Sequence, residues 1–216
     1  MPSKLTITAT LATPLVTGGG YFTLDALLAG ILFDKMQDVD AAHAAVPVKC
    51  VDSLFHASAA IIETQAVGRM AFVANLRADH AIDPDLILKN KQGKIHKSIG
   101  RTRRRDFGAV MNSYRTITAG SIQWFCEGEA DLIRDLLEPV HFIGKRRASG
   151  FGEVLRWEVE PGELDGVVGM LGEPLRPVPV DMFNGDKSSI KVDTAWRPAY
   201  WHPAHRAICY APEPGA

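Results

Sequence analysis

The sequence of 216 residues predicts an α+β fold, and three observations support this prediction. Apolar and polar residues alternate in Leu5–Leu11 and again over 153–160, which is typical of strands with one buried face. Apolar residues recur at helical spacing over 24–32 and over 129–138. With 46% hydrophobic and 23% charged residues, the composition is that of an ordinary globular protein large enough to bury a core.

The first predicted elements are a strand and a helix. The strand, Leu5–Leu11, is expected to end before the glycine-rich segment Thr13–Gly20. A helix is expected to begin after Thr23 as N-cap, with Asp25 in its first turn, and to continue to Leu32. Its leucines are expected to share one face.

Residues 46–77 contain two apolar runs, Ala57–Ile62 and Met70–Leu76. We interpret them as two strands around a turn near Val67–Gly68. The alanine-rich stretch Ala57–Glu63 is equally compatible with a helix, because short apolar runs are ambiguous.

The second half of the core is predicted from three segments. Residues 114–125 have strand composition, and the short amphipathic segment 129–138 is ended as a helix by Pro139. Residues 153–160 form the final strand. The order of all these elements is that of a ferredoxin-like (RRM-like) core, which we place in residues 1–161. Residues 162–216 are expected to form an irregular, proline-rich C-terminal extension packed on this domain.

The net charge of −1 conceals two basic segments. Residues 89–105 contain eight Lys and Arg, residues 141–152 contain three, and neither segment contains Asp or Glu. The remainder therefore holds 13 basic and 25 acidic residues, so positive charge is localised, as in a nucleic-acid groove. The first segment has too few apolar residues to order itself, and we expect an insertion at about 86–108 that is mobile without a ligand.

The second basic segment, His141–Gly152, combines three glycines, three consecutive cations and two phenylalanines. Glycine allows close approach of backbone to a ligand, and clustered Lys and Arg neutralise phosphate. We therefore predict a polyanion site between the second helix and the final strand. The alternative, a tight connection with solvated charges, explains the glycines but not the adjacent cations.

The sequence predicts neither a cofactor nor a metal. His202 and His205 are separated by a proline and have no Cys or carboxylate close by. The loop lacks the Walker phosphate-binding pattern and the third glycine of a dinucleotide site. Three scattered cysteines, no apolar run of membrane-spanning length and no evident signal peptide favour the cytoplasm.

Several segments resemble one family. Ile143-Gly-Lys-Arg-Arg-Ala-Ser-Gly-Phe-Gly-Glu-Val154 resembles the glycine-rich loop of the RAMP superfamily, the RRM-like subunits of class 1 CRISPR effector complexes. Leu11-Ala-Thr-Pro-Leu15 and Leu24-Asp-Ala-Leu-Leu-Ala29 are similar to the first strand and helix of such subunits. Leu175-Arg-Pro-Val-Pro-Val180 is similar to the tail of the type IV subunit that caps the 5′ handle of the guide RNA. The resemblance covers most of residues 5–210.

The resemblance implies a non-catalytic subunit that binds the 5′ handle and anchors assembly. Its implied partners are the guide RNA, a filament-forming RAMP subunit, a large effector subunit and, as a further candidate, target DNA. The basic insertion corresponds to a thumb-like element. The implied RNA-binding residues in the glycine loop are Gly144, Lys145, Arg146, Arg147, Ser149, Gly150, Phe151 and Gly152. Those in the insertion are Lys94, His96, Lys97, Arg101, Arg103, Arg104 and Arg105.

Two alternatives to guide-RNA capping stay open. One is a metal-independent endoribonuclease that processes repeat RNA, which needs a general base and a cation near the 2′-hydroxyl. The other is a general single-stranded RNA-binding protein. Phe151 suits either stacking on a base or packing in the core. The candidate parts of a nuclease, which no common spacing links, are His56, His96, Tyr114, His141 and Lys145.

Overall fold

The computed structural model describes residues 2–18, 20–74, 92–94 and 110–213. The chain divides into two units, residues 1–67 with 116–216, and residues 68–115. Within the 68–115 unit, the rings of Phe72 and Tyr114 meet edge to face at 6.0 Å, and Lys94 is exposed. The rest of the predicted insertion at 86–108 lies outside the described residues.

A four-stranded sheet organises the larger unit. Its order is β4 (Ile61–Ala74), β5 (Val110–Gly128), β1 (Ser3–Leu11) and β6 (Val154–Pro161). The central strand β1 is antiparallel to both β5 and β6. Its alternating sequence buries Leu5, Ile7 and Ala9 on one face and places threonines on the other, as the period of two predicts. The protein is therefore a mixed α+β structure with antiparallel sheets.

Three helices accompany this sheet among the described residues: α1 (Leu24–Met36), α2 (Val39–Ala44) and α3 (Ala130–Leu137). The predicted start of α1 after Thr23 is confirmed, and α1 ends at Gln37, whose left-handed backbone N–H donates to the carbonyl of Phe33. Helix α3 buries Ile133 and Leu137 in the main core. The helix predicted over 129–138 is thus confirmed.

The buried indole of Trp124 on β5 lies in the main core. Its ring meets Phe22 edge to face at 5.6 Å and lies 6.1 Å from Trp157 of β6. Both indole N–H groups donate a hydrogen bond. That of Trp124 donates to the carbonyl of Phe22, and that of Trp157 donates to the carbonyl of Val140. The segments that flank α1 and α3 are therefore fixed to the sheet.

The predicted turn near Val67–Gly68 is wrong. Residues 61–74 form one continuous strand, β4, which lies beside β5 in the sheet, and the helical alternative over Ala57–Glu63 does not occur. Instead Ala57 forms a bridge with Cys126 and Ala59 forms one with Thr23. The glycine indicated a turn in the sequence, but within a long paired strand it adopts extended backbone.

A short hairpin that the sequence did not reveal precedes β4. It joins β2 (Cys50–Val51) to β3 (Leu54–Phe55) through Asp52 and Ser53, whose φ angles are 50° and 68°. Two positive φ values are the geometry of a tight primed turn. The segment lacks the Asn-Gly or Asp-Gly signature of such a turn, so pattern alone did not predict it.

The C-terminal extension is not irregular throughout. It contains β7 (Val178–Pro179), β8 (Lys191–Ala195) and β9 (Arg206–Tyr210), which form a three-stranded antiparallel sheet in the order β7-β9-β8. A second apolar cluster around Val178, Phe183 and Tyr210 lies beneath it. The strands are only two to five residues long and lie among prolines, so their pattern was too short to indicate a sheet. Within the described residues, no helix has the length and apolarity needed to span a membrane.

Candidate nucleic-acid interface

The backbone of the loop at 141–152 is unusual. Four of its residues have positive φ: Gly144 (78°), Arg146 (62°), Gly150 (83°) and Gly152 (69°). Left-handed backbone is costly for residues with a Cβ and inexpensive for glycine. Arg147–Ser149 form a short 3₁₀ turn between these bends. The glycines in this segment are therefore required by its path.

The loop is fixed to the segment that follows β1. The N–H of Lys145 donates to the carbonyl of Val16 (2.7 Å), and the N–H of Gly152 donates to the carbonyl of Pro14 (2.9 Å). A Cβ on Gly152 would lie 2.1 Å from the carbonyl oxygen of Ile143, and one on Gly144 would lie 2.6 Å from that of Val16. These two glycines permit close packing of backbone on backbone.

This packing changes the role that the sequence assigned to the glycines. The glycines were expected to let the backbone of the loop approach a polyanion closely. In the structure the N–H groups of Lys145, Ser149, Gly150 and Gly152 all donate to carbonyl groups of the protein. These four donors stabilise the loop itself, so contact with a polyanion depends on other groups, above all the cationic side chains.

The cations of the loop differ in their exposure. Lys145, Arg147 and Ser149 are exposed, whereas Arg146 and Phe151 are half-buried. The Lys145 side chain runs along Gly18, where an added Cβ would lie 3.2 Å from its Nζ. The loop contains no acidic residue. Lys145 and Arg147 therefore present positive charge on a backbone that is already fixed.

A groove of about 1010 Å³ adjoins the loop. It is lined by residues 17, 18 and 20–22, by the middle and C-terminal part of α1, and by residues 139–145, 147 and 148. Aromatic rings of Tyr21, Phe22, Phe33 and Phe142 contribute to the lining. From the sequence, only the leucines of this helix were expected to share one face, and the groove was not predicted. The signal was present, because α1 has further apolar residues, Ile31 and Phe33, beside the buried Leu24, Leu28 and Leu32, and a surface helix usually has one polar face.

The other predicted RNA-binding residues belong to a different part of the chain. Lys94 is exposed in the 68–115 unit. The remaining ones lie outside the described residues, and they are His96, Lys97, Arg101, Arg103, Arg104 and Arg105. Among the residues that the structure describes, those of the loop lie together at one place in the larger unit.

The candidate parts of a nuclease do not form one described site. His56 is half-buried, with Nδ1 3.3 Å from Oδ2 of Asp165 and 3.7 Å from Oε2 of Glu127. Burial alone would raise the pKa of Asp165, but the nearby His56 ring and hydrogen bonds from the backbone N–H groups of Val167 and Val168 outweigh it and hold that pKa well below its usual range. Tyr114 belongs to the 68–115 unit, and His141 and Lys145 lie in the loop.

Among the described residues, a fully buried arginine was not predicted from the sequence. Arg176 has no exposed surface, and its guanidinium lies 3.2 Å from the equally buried carboxylate of Asp25, in the first turn of α1. It also donates to the carbonyls of Phe55 (2.7 Å) and Ala57 (3.0 Å). Tyr200 accepts from Arg176 and donates to Asp25. Burial lowers the pKa of Arg176, but Asp25 outweighs this and keeps the guanidinium charged.

The C-terminal aromatic residues Tyr200 and Trp201 differ in exposure, since Tyr200 is half-buried and Trp201 is exposed. Tyr200 belongs to the buried ion pair, and burial raises its pKa far above the usual value. Trp201 is 77% exposed, and its ring lies 5.9 Å from His202, which in turn lies 4.9 Å from His205. Among the residues that the structure describes, no group of three or more His, Cys, Asp or Glu is arranged to hold a metal ion.

Comparison with known proteins gives the family. No curated protein matches the chain significantly. A family model described as CRISPR type IV associated protein Csf3 matches residues 3–212, nearly the whole chain. That span includes the sheet, the loop and the C-terminal extension. The chain therefore belongs to the Csf3 family of CRISPR type IV associated proteins.

Proposed function

We propose that this chain binds the 5′ handle of a CRISPR guide RNA through the loop at 141–152 and so anchors assembly of the effector ribonucleoprotein. The observation that carries the proposal is the loop itself, where Lys145 and Arg147 are exposed on a backbone fixed by internal hydrogen bonds. A fixed cationic loop loses little conformational entropy when it binds phosphates. Membership of the Csf3 family gives the protein its CRISPR type IV associated role.

The sheet supports a ferredoxin-like core of the RAMP type. The larger elements follow the order β1, α1, β4, β5, α3, β6, and the strands lie in the order β4-β5-β1-β6. This is the succession of a β-α-β-β-α-β unit, into which α2 and the β2–β3 hairpin are inserted. In that framework the loop connects the second main helix to the last strand, as the resemblance implies.

The charge distribution supports RNA as the ligand. The chain as a whole carries 24 basic and 25 acidic side chains, so it has no general affinity for polyanions. The loop is a local exception. An acidic surface elsewhere restricts a nucleic acid to the basic segments, which suits a subunit that holds one defined end of an RNA. In this assignment the subunit is non-catalytic, and a filament-forming subunit, a large subunit and target DNA are its candidate neighbours.

The proposal is tested by identifying the RNA that the protein retains. The chain is co-expressed with a CRISPR repeat RNA and the other subunits, purified, and the bound RNA is sequenced. We expect guides that share one defined 5′ end. Random cellular RNA would contradict handle recognition and favour a general RNA-binding protein. Repeating the experiment with the chain alone and an uncut repeat RNA tests the endoribonuclease alternative, which predicts cleavage.

A further inference from the structure

The groove beside α1 has a polar rim and an apolar floor. Leu27 and Ile31 of α1 face the same space as Val140 and Phe142. The cations of the rim are Lys35, Lys145 and Arg147, and Asp34 is the one acidic residue among the described lining residues. Leu27, Ile31 and Val140 are only partly buried and pack against the margin of the main core, so part of their apolar surface stays accessible in the groove.

The lining suits a flat aromatic ligand that carries negative charge at one end. Phe22 and Phe142 are half-buried and Phe33 is 38% exposed, so aromatic surface remains accessible in the groove. Single-stranded RNA is commonly recognised by stacking splayed bases on aromatic rings while cations hold the backbone. A volume of about 1010 Å³ exceeds what one nucleoside needs.

We infer that this groove receives one unpaired base of the guide RNA, whose adjacent phosphate contacts Lys145 and Arg147. The inference rests on the proposed function and adds a base-binding site to the phosphate-binding loop. Charge complementarity favours a negatively charged ligand such as RNA over an uncharged protein side chain, because the lining includes three cations and one carboxylate. Base contact at this position gives the protein a means to fix the register of the RNA end, which phosphate contacts alone do not provide.

Gly30 provides a sharp test. It lies in α1 on the lining of the groove, and a Cβ added there would meet no atom within 4 Å. Gly30→Phe therefore adds a ring at the groove wall without a clash of its Cβ with any residue outside α1. Gly30→Ala is the matched control, because a methyl group leaves the groove open and also favours the helix. Thermal unfolding of both variants checks that the fold is intact.

The measurement is the affinity of the full chain, or of its purified complex, for handle RNAs in which each base in turn is replaced by an abasic site. For the wild-type chain and for Gly30→Ala, we expect an abasic site at one position of the RNA to lower the affinity roughly 5- to 150-fold, which corresponds to the loss of one stacked base. Gly30→Phe is expected to bind intact RNA more weakly and to show no further loss at that position. This non-additivity assigns the base to the groove.

Other outcomes overturn the inference in distinguishable ways. If no abasic position matters for the wild-type chain, the groove holds no base, and the loop remains the phosphate site. If Gly30→Phe leaves the abasic profile unchanged but prevents copurification of another subunit, the occupant is a protein. If handle RNA is not bound at all, the proposed function fails together with the inference.

Discussion

Removing the two exposed cations of the loop should weaken RNA binding by an amount that the structure allows us to estimate. Lys145 and Arg147 are both exposed and lie at the rim of one groove, so each can contact a phosphate. A contact with single-stranded nucleic acid contributes about 0.7 to the slope of log affinity against log salt. The double variant Lys145→Ala/Arg147→Ala should therefore flatten this slope by about 1.4. Extrapolated from 1 M salt, at which the two proteins should bind equally, to ~0.15 M salt, this difference in slope lowers the binding free energy by about 1.6 kcal/mol, or the affinity by roughly 15-fold.

The assay is fluorescence anisotropy of a labelled 5′-handle RNA, titrated at several salt concentrations between about 50 and 200 mM. The control variant Lys4→Ala/Lys187→Ala removes two exposed cations from other elements and so matches the change in net charge. Its slope should stay that of the wild type. An unchanged slope in the loop variant, or an equal change in the control, would refute the loop as a local phosphate clamp.

The remaining predictions concern the framework of the site. Arg176→Met should lower the free energy of unfolding by about 3–5 kcal/mol, because it leaves the carboxylate of Asp25 buried and unpaired. Adding Asp25→Asn should restore part of that loss in urea unfolding, and a strictly additive loss would contradict the pairing. Gly150→Ala should lower the free energy of unfolding by about 1–2 kcal/mol, because the alanine has to adopt a positive φ. Gly152→Ala should lower it clearly more, since the added Cβ would also collide with a carbonyl oxygen. The lowered pKa of Asp165 stabilises the fold above the unfolded value of about 3.9, and this contribution is lost as the pH falls through the lower native pKa. Asp165→Asn should thus destabilise the protein at neutral pH and cease to differ from wild type in strong acid, and a constant difference would disprove the assignment.

Local patterns were enough to predict the elements that pack against one buried face. Strand β1 has strict alternation, and the N-terminal boundary of α1 was marked by Thr23. Helix α3 combines a buried stripe with a proline two residues beyond its end. In each case the pattern that marks the element lies within it or directly beside it, although the Thr23 side chain makes no capping hydrogen bond to α1.

The features that were not predicted from the sequence depend on contacts between distant parts of the chain. The residues of β4 before and after Gly68 form one strand because they lie beside β5, and such pairing is not encoded in either run alone. Asp25 has the position of an ordinary first-turn acid, and nothing local reveals that its partner is Arg176, 151 residues away. The cations of the loop were recognised as a site, but the groove was not, because it forms only where α1 meets residues 139–148.

The buried ion pair connects the C-terminal extension to the candidate site. Asp25 lies at the start of α1, and the same helix lines the groove through Leu27, Gly30 and Ile31. Because Arg176 holds that carboxylate and also bonds the carbonyls of Phe55 and Ala57, the start of α1 is tied to the segment before β4. Deleting residues 162–216 would remove Arg176 and leave a charge buried without its partner. Weaker RNA binding by a truncated chain could therefore reflect either lost RNA contacts or a displaced α1. Binding by the loop and the groove has to be measured on the full chain with single substitutions.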